Sequence, residues 1–382
     1  MSSRKPSILL LGTQMEVAGA QRVLFLLADY LHAQGYSVQA VFVYDKQNLA
    51  ADWQRQHTYP VVSLGGWKPG GFVLANLLRL TAASLRLFLL LRRHEVVLTY
   101  TPHSNLLGLP LAWLAGIRVR LGSHHGHIEN APGWLGWLHG KLTNSIICSQ
   151  MICVSSQVRS LAQREEGARL EKLTVIENGI TPPAEVVLTD EQRQALRGSL
   201  GVLPGQILWV TVGRLMVQKG YAYLLDAIDA LHDPNVVFAF IGDGPLHQEL
   251  QAKALALGIS EQVRFAGVRS DVPKLLAVAD GFVQPSLWEG MSLALLEAMF
   301  AGLPIVATRI EASTDVLEDE RTALLAQPKD SVSLAAQLRR MIADAGLRSR
   351  LGQAAQQVAR ERYTVDVMGA AYARLIQDLQ ND

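Results

Sequence analysis

The sequence predicts an α/β protein of two doubly wound domains, each with a parallel sheet covered by helices. Short β-branched apolar runs alternate with helix-length segments in the first half of the chain, a pattern typical of parallel strands joined by crossover helices. A loop rich in Pro and Thr, TPPAEVVLTD at 181–190, interrupts the alternation, which then restarts. The length of 382 residues also favours two domains over one.

The first domain is predicted over residues 1–180. The run SILLLG is its first strand, AQRVLFLLADYLHAQG a helix and SVQAVFVY the second strand. Further strands are predicted in HEVVLTY, RVRLGS, MICVS and LTVIENG. Residues 181–200 are then predicted to be a linker.

The second domain is predicted over residues 201–362. The strand QILWVTV is followed by the helix YAYLLDAIDALH, the strand VVFAFIG and a helix over residues 249–257. The strands VRFAG, DGFVQ and PIVAT come next. From residue 331 onward, Ala, Leu, Arg and Gln occur at a density that favours helix, including the last segment, 363–382.

Composition and charge exclude several classes of protein. The chain is 49% hydrophobic and 18% charged with a net charge of +1, so nothing indicates a nucleic-acid partner. Cys148 and Cys153 are too few for a structural zinc site, and we expect two buried, reduced thiols. The run MSSRKPSILLLG is too short for a secretory signal, so a cytoplasmic protein is expected.

Residues 72–93, FVLANLLRLTAASLRLFLLLRR, form a long apolar segment. Its length would suit a membrane span, but Arg79 and Arg86 lie inside it and would be costly at the centre of a bilayer. We therefore expect a buried or interfacial amphipathic helix. Trp134 and Trp137, farther along the chain, would suit the same membrane surface.

The loop VGRLMVQKG in the second domain carries a candidate anion site. Gly213 ends a predicted strand, Arg214 and Lys219 follow, and a helix is predicted from about Tyr221. A guanidinium and an ammonium beside a helix N-terminus suit a phosphate group. The alternative is a solvated loop with incidental charges. The next strand ends at Gly242 in IGDGP, where a plain tight turn explains the glycines equally well.

The stretch PSLWEGMSLALLEAMFAG places two carboxylates, Glu289 and Glu297, around a predicted helix start. Ser292 suits the N-cap, so the backbone N–H groups from Leu293 onward would be available to a diphosphate. Glu297, one turn inside the helix, suits a ribose diol because a carboxylate accepts from two neighbouring hydroxyls. Glu289 would accept from hydroxyls beyond the far phosphate.

The combined motifs resemble the retaining glycosyltransferases of family 4, the group 1 type, which have the GT-B fold. PSLWEGMSLALLEAMFAGLPIVAT is similar to the family's E-x7-E signature, and VGRLMVQKG to its diphosphate clamp. IGDGP and VIENGI resemble two further strand ends, although Glu177 stands where the family more often has Pro. The run AGAQR at 18–22 has one glycine, Gly19, where the family usually has two.

The resemblance implies two domains facing across a cleft, with residues 363–382 packing towards the first domain. It assigns acceptor binding to the first domain and donor binding to the second. The implied catalytic residues are Glu289, His125, Arg214 and Lys219. The implied donor-binding residues are Gly19, Gly213, Arg214, Lys219, Gly242, Glu289, Gly290, Met291, Ser292, Leu293 and Glu297. His103, His124 and Asn178 are implied on the acceptor or sugar side.

The implied reaction is the metal-independent, retaining transfer of a sugar from a nucleotide-diphosphate sugar to a glycan or lipid-linked acceptor, in cell-envelope polysaccharide or glycolipid synthesis. Peripheral contact with the inner face of the membrane is expected. No cofactor is expected, because the first loop lacks G-x-G-x-x-G. Although His124, His125 and His127 cluster, successive strand residues face opposite ways, which disfavours a metal site. A non-catalytic nucleotide-sugar-binding subunit and a nucleotide-sugar epimerase stay open as alternatives.

Overall fold

A computed structural model describes residues 4–126, 133–184 and 186–381. The chain divides into two units, the first formed by Met1–Thr181 with Val365–Asp382, and the second by Pro182–Thr364. Each unit contains one parallel sheet with helices alternating between the strands. The predicted fold class, two doubly wound α/β domains, is confirmed.

The first unit is built on a seven-stranded sheet in the order β3-β2-β1-β4-β5-β6-β7. Its strands are β1 (Ser7–Met15), β2 (Ser37–Asp45), β3 (Val61–Ser63), β4 (Val96–Tyr100), β5 (Val119–His124), β6 (Gln150–Cys153) and β7 (Leu173–Val175). Its helices are α1 (Gly19–Ala33), α2 (Ala50–Gln56), α3 (Val73–Leu91), α4 (Pro102–Leu114), α5 (Gly133–Asn144), α6 (Ser156–Glu166) and, at its C-terminal end, α15 (Val365–Asn381).

The second unit is built on a six-stranded sheet in the order β10-β9-β8-β11-β12-β13. Its strands are β8 (Ile207–Val212), β9 (Val236–Ile241), β10 (Val263–Gly267), β11 (Gly281–Gln284), β12 (Ile305–Thr308) and β13 (Leu324–Ala326). Its helices are α7 (Asp190–Ser199), α8 (Tyr221–Leu231), α9 (His247–Ala256), α10 (Val272–Val278), α11 (Leu293–Phe300), α12 (Glu311–Thr314), α13 (Ser331–Ala343) and α14 (Ala345–Arg362).

Both sheets are buried on both faces, as their near-continuous apolar strands require. All residues of β4 and all residues of β9 are buried. In each sheet the chain first adds strands on one side and then reverses direction, which creates a switch point between β1 and β4 and another between β8 and β11. Loops that follow strands at such a point diverge and leave space for a ligand.

The last helix, α15, completes the first unit. Its first residue, Val365, donates a backbone hydrogen bond to Ile180 O at 2.9 Å. Gly369 packs so closely on the Tyr30 ring that a Cβ atom at this position would overlap it. The C-terminal segment therefore belongs to the core of the first unit.

The segment 181–200, predicted as a linker, contains helix α7. Thr189 caps this helix by accepting from Gln192 N, and the Gln192 side chain accepts from the Thr189 backbone N–H, a complete capping box. The helix has no buried residue, which explains why its sequence, DEQRQALRGS, carries no apolar periodicity. Cys148 and Cys153 are free and buried, as predicted, and burial raises the pKa of Cys148 to about 11.

Candidate functional site

The candidate site of the second unit lies at the carboxyl edge of three neighbouring strands, β9, β8 and β11. Gly242 follows β9, Gly213 follows β8, and Ser286 lies two residues after β11. The switch point between β8 and β11 thus brings together the loop with Arg214 and Lys219 and the loop with Glu289.

Lys219 and Glu289 form a buried ion pair at this edge. Lys219 Nζ lies 2.5 Å from Glu289 Oε1, and the two side chains are 16% and 8% exposed. Ser286 Oγ donates to the same oxygen at 2.7 Å, and Gln218 Nε2 donates to Glu289 Oε2 at 3.2 Å. Since an ionised carboxylate accepts about four hydrogen bonds, these three donors leave room for about one more, such as a sugar hydroxyl.

Glycines bring the backbone of these loops together. Gly220 has a φ of +64°, and a Cβ atom there would overlap the Pro285 carbonyl oxygen. Gly242 has a φ of +133° and lies equally close to the Gly213 carbonyl oxygen. A side chain is excluded at both positions by conformation and by space, so the glycines allow the backbones of neighbouring loops to approach each other closely.

Arg214 differs from Lys219 in its surroundings. Its side chain is exposed, and it has no ion pair or hydrogen bond among the residues that the structure describes. Lys219 lies beside Gly213, where a Cβ atom would come within 3.1 Å of the lysine Cε. The loop after β8 therefore presents one free cation and one cation already paired with a carboxylate.

Helix α11 begins where the sequence predicts. Ser292 caps it by accepting a hydrogen bond from Leu295 N at 3.3 Å. Glu297 is half-buried in the second turn of this helix. Gly290 and Met291 form the approach to the cap, and the N–H of Leu293, the first residue of α11, belongs to the turn whose N–H groups have no partner within the helix.

Three polar residues of this site escaped the sequence prediction. Ser286 and Gln218 hold Glu289, and Tyr221, the first residue of α8, is buried. Burial raises the pKa of Tyr221 against the opposing effect of a hydrogen bond with Thr211. The position of Ser286 just after a strand was the one available signal, because residues there point to the ligand-binding edge.

Three of the residues predicted in the first unit, Gly19, His103 and His125, follow the carboxyl ends of the neighbouring strands β1, β4 and β5, whereas Asn178 follows β7. Gly19 is the exposed first residue of α1, and its N-cap, Ala18, makes no side-chain cap bond. His103 is exposed in the first turn of α4, whereas Asn178 is buried. His127 lies outside the described residues.

His125 lies just after β5, and its ring contacts Ser123 and Tyr100. Its Nε2 atom lies 2.8 Å from Ser123 Oγ, and the ring stacks on Tyr100 with centroids 5.4 Å apart. Burial, with a smaller contribution from His124, lowers the pKa of His125 to about 3, so the ring is neutral at physiological pH. Within the described ranges, Nδ1 makes no hydrogen bond, which leaves it available to a ligand.

His124 faces a different environment from His125, in agreement with strand alternation. Its ring is buried, and Nε2 lies 3.1 Å from Glu166 Oε1. His139 Nδ1 lies 2.7 Å from Glu166 Oε2. Burial alone would raise the pKa of Glu166, but hydrogen bonds from both histidines lower it to about 2, so the group is a carboxylate.

The cluster of His124, His139 and Glu166 has the composition of a metal site, and its ligand atoms lie within 4.8 Å of one another. The hydrogen bonds indicate a different use. His124 Nδ1 accepts from Gly126 N and His139 Nε2 accepts from Asn105 Nδ2, so the nitrogens that face Glu166 carry the protons. Protonated nitrogens have no lone pair for a cation, and the cluster is satisfied as a set of hydrogen bonds.

Comparison with known proteins gives a consistent result. Residues 17–182 match the model of Glycosyltransferase Family 4, and residues 192–358 match that of Glycosyl transferases group 1. The fold is similar to that of HepE from Anabaena, solved in complex with UDP-glucose. The TM-score is 0.85 at 22% identity, over 98% of this chain and 100% of that one.

Two curated relatives are similar in sequence. One is the Escherichia coli UDP-Gal:alpha-D-GlcNAc-diphosphoundecaprenol alpha-1,3-galactosyltransferase, 27% identical over 62% of this chain. The other is the lipopolysaccharide core biosynthesis glycosyltransferase LpsE of Rhizobium meliloti, 27% identical over 59% of this chain. The matched region spans 64% of the length of each relative.

Proposed function

This chain belongs to the family 4 glycosyltransferases of the group 1 type, and on that premise we propose that it transfers a sugar from a nucleotide-diphosphate sugar to a glycan or lipid-linked acceptor. The relatives named for lipopolysaccharide and diphosphoundecaprenol substrates support a role in cell-envelope synthesis. The second unit binds the donor, and the first unit receives the acceptor. A uridine diphosphate sugar is the first donor to test, since HepE was solved with one.

The observation that carries the proposal is the Lys219–Glu289 pair at the β8–β11 switch point. A cation and a carboxylate at one strand edge supply a partner for a phosphate and a partner for a sugar hydroxyl. Arg214, exposed in the same loop, adds a second cation, and the N-terminus of α11 adds N–H donors. The phosphate and the sugar are the two parts of such a donor that the transfer separates.

The chemistry follows from these charges. As the bond between the anomeric carbon and the phosphate breaks, negative charge grows on the diphosphate, and Arg214 and Lys219 stabilise it. These cations do the work that a divalent ion would otherwise do, which supports metal-independent transfer. Because Glu289 accepts from three donors, it is expected to hold the sugar rather than act as a nucleophile. The acceptor hydroxyl then attacks the face that the phosphate leaves and gives its proton to the departing phosphate oxygen, so the configuration at the anomeric carbon is retained.

Helix α3 supports peripheral binding to the cytoplasmic face of a membrane. By length and composition it alone, among the described helices, could span a bilayer, but Arg79 and Arg86 interrupt it. Leu74 and Leu78 are 72% and 67% exposed, and residues 67–93 contain no Asp or Glu. An exposed apolar surface with cations and no anions suits the boundary of an anionic bilayer.

A thermal-shift panel tests the donor site. UDP, GDP, ADP and CMP are compared on the wild type, on Lys219→Ala and on Lys253→Ala. Lys253 is a matched control because it pairs with Asp226 in the same unit but is partly exposed. A nucleotide at about 100 times its Kd should stabilise the fold by about 2.7 kcal/mol. One diphosphate is expected to raise the Tm of the wild type and of Lys253→Ala, and to lose most of this effect in Lys219→Ala.

The outcomes separate the proposal from its alternatives. If no nucleotide raises the Tm of the wild type, the donor site is wrong. If a nucleotide binds but no sugar nucleotide is hydrolysed or transferred, the chain is a non-catalytic nucleotide-sugar-binding subunit. Conversion of the donor sugar into its epimer, detected by NMR, would identify an epimerase. Retention is established by the anomeric configuration of the transferred product.

A further inference from the structure

Five buried or nearly buried side chains of the first unit form a continuous hydrogen-bonded chain, here called the Glu166 network. The network consists of Thr99, Asn105, His139, Glu166 and His124, which come from β4, α4, α5, α6 and β5. Thr99 Oγ1 donates to Asn105 Oδ1 at 2.6 Å, and Asn105 Nδ2 lies 2.8 Å from His139 Nε2. The two histidines then meet the two oxygens of Glu166. Two strands and two crossover helices are thereby tied to the carboxylate that α6 carries.

The proton positions in the network follow from its contacts. The Asn105 nitrogen is identified by the Ser123 carbonyl, which can only accept a hydrogen bond, so the same nitrogen donates to His139 Nε2. His139 therefore carries its proton on Nδ1, facing Glu166. His124 accepts from Gly126 N through Nδ1 at 3.3 Å, which places its proton on Nε2, also facing Glu166. Two N–H donors thus converge on one anion.

The network contacts both sides of His125 without touching the ring. Asn105 Nδ2 also donates to the Ser123 carbonyl at 3.1 Å, two residues before His125. The His124 ring accepts from the backbone of Gly126, one residue after it. Ser123 in turn contacts His125 Nε2 through its hydroxyl. The peptide segment that carries His125 is therefore fixed from both ends by groups that depend on Glu166.

We propose that Glu166 is a positioning residue, whose carboxylate fixes the end of β5 and so sets the orientation of the His125 imidazole that sugar transfer requires. The inference rests on the proposed function and on the catalytic role that the family resemblance implies for His125. Gln has nearly the shape of Glu but offers one acceptor oxygen and an NH2 group. In Glu166→Gln one histidine N–H would face that NH2 group. To avoid this contact between two donors, His124 or His139 must move its proton to its other ring nitrogen. That nitrogen could then no longer accept the hydrogen bond from Gly126 N, in His124, or from Asn105, in His139.

The test compares Glu166→Gln with Glu165→Gln in the full chain. Glu165 is the exposed neighbour on the same helix, so the control makes the same chemical change outside the network. Glu166→Asp is the second variant, because it keeps the charge and both acceptors but withdraws them by one methylene. It also serves if Glu166→Gln does not fold.

Two readouts are made on each variant. The first is turnover of UDP-glucose, UDP-galactose and UDP-N-acetylglucosamine, separated into kcat and donor KM. Glu166→Gln is expected to lower kcat by about 10- to 100-fold, with donor KM changed by less than about threefold. The second is the ¹⁵N spectrum of histidine-labelled protein, with His125 assigned from His125→Gln. The His125 ring signals are expected to shift in Glu166→Gln, to shift less in Glu166→Asp, and to stay unchanged in Glu165→Gln.

Each result supports or overturns the proposal. If Glu166→Gln lowers the Tm but leaves kcat and the His125 signals unchanged, Glu166 only stabilises the fold and the proposal is wrong. If Glu166→Gln cannot be obtained, Glu166→Asp decides. A kcat and His125 signals equal to those of the wild type in Glu166→Asp would overturn the proposal. If the wild type turns over no sugar nucleotide, the proposed function fails. The His125 spectrum then decides the positioning role alone.

Discussion

Lys219 Nζ lies 2.5 Å from Glu289 Oε1, so one charge pair joins the loop after β8 to the loop after β11. Burying an ion pair costs desolvation energy unless further hydrogen bonds satisfy both groups. Ser286 and Gln218 provide such bonds to the carboxylate. The carboxylate is therefore satisfied although it is nearly buried, and the ion pair keeps two divergent loops together at the edge where a ligand would bind.

Glu289→Gln is expected to destabilise the second unit and to abolish most transfer. The change leaves the Lys219 ammonium buried without its anion, which costs about 3 kcal/mol or more in comparable buried pairs. Loss of an electrostatic contact to the transferred sugar should lower kcat by about 100-fold. Urea unfolding and product formation are the measurements.

The control for this change is Glu261→Gln, whose carboxylate is 98% exposed. Its free energy of unfolding should stay within about 0.5 kcal/mol of the wild type. Wild-type turnover in Glu289→Gln would contradict the assigned role.

Gly220→Ala is expected to damage both folding and nucleotide binding. The new Cβ would overlap the Pro285 carbonyl oxygen and would also place alanine at a φ of +64°. Gly258→Ala is the matched control, because Gly258 has a φ of +72° but nothing within 4 Å of the added atom. The control isolates the conformational cost, about 1–2 kcal/mol.

The difference between the two variants measures the steric contact at the site. Gly220→Ala should lose at least about 1 kcal/mol more than Gly258→Ala in urea unfolding, the lower range for overpacking. It should also lose the nucleotide-induced rise in Tm, which Gly258→Ala should keep. Equal losses of unfolding free energy and equal nucleotide-induced rises in Tm in the two variants would contradict the prediction. They would show that the loops with Gly220 and Pro285 can move apart without loss of stability or of nucleotide binding.

Acid is expected to destabilise the first unit through His125. Burial lowers the pKa of this ring to about 3. Below the ordinary histidine pKa of 6.5, the ring therefore takes up a proton in the unfolded chain but stays neutral in the native protein. Its contribution to the free energy of unfolding is complete above pH 6.5 and is lost as the pH falls towards 3. Between pH 7 and pH 5 the loss should be about 2 kcal/mol.

The variant His125→Asn tests this dependence, because asparagine does not titrate. The decrease in unfolding free energy between pH 7 and pH 5 should be smaller in this variant by about 2 kcal/mol. His32→Asn changes an exposed histidine of the same unit and should keep the wild-type dependence. Parallel pH curves for wild type and His125→Asn would show that the ring is hydrated in the native state.

The double variant Leu74→Ser with Leu78→Ser should weaken membrane binding and leave stability nearly unchanged. Both side chains are mostly exposed, so the protein loses little buried apolar area. Loss of two leucines from a lipid contact should reduce binding to vesicles with 30% anionic lipid by about tenfold or more. Sedimentation with such vesicles, and with purely zwitterionic ones, measures it.

Leu255→Ser is the control, since Leu255 is 72% exposed on α9 of the second unit. It should sediment with anionic vesicles as the wild type does. Equal binding by the double variant and the wild type would remove α3 from the membrane contact.

Much of the fold could be predicted because its signals are local. Parallel strands buried on both faces give apolar runs such as those of β4 and β9. Ser292 is a typical N-cap residue and so predicts the start of α11. The strands β3, β7 and β13 have three residues each, and of these only β7, in LTVIENG, was predicted. Helix α7 was missed because it buries no residue and so has no apolar face.

The candidate site was predictable where charged residues lie in a loop between a strand and a helix. Arg214, Lys219 and Glu289 could be identified in this way. Ser286 and Gln218 are ordinary loop residues until the fold places them beside Glu289. Glu166 and His139 lie on different helices, and no spacing between them reports their contact. Partners across elements are a property of packing, which the sequence pattern of one element does not contain.

The return of the chain to the first unit has a consequence for synthesis. Helix α15 packs against Tyr30 through Gly369, but it is translated after the whole of the second unit. The first unit therefore cannot finish folding in the order in which it is made, whereas the second unit is continuous and can. During translation the surface of α1 that receives α15 therefore stays uncovered until α15 has been made and released from the ribosome.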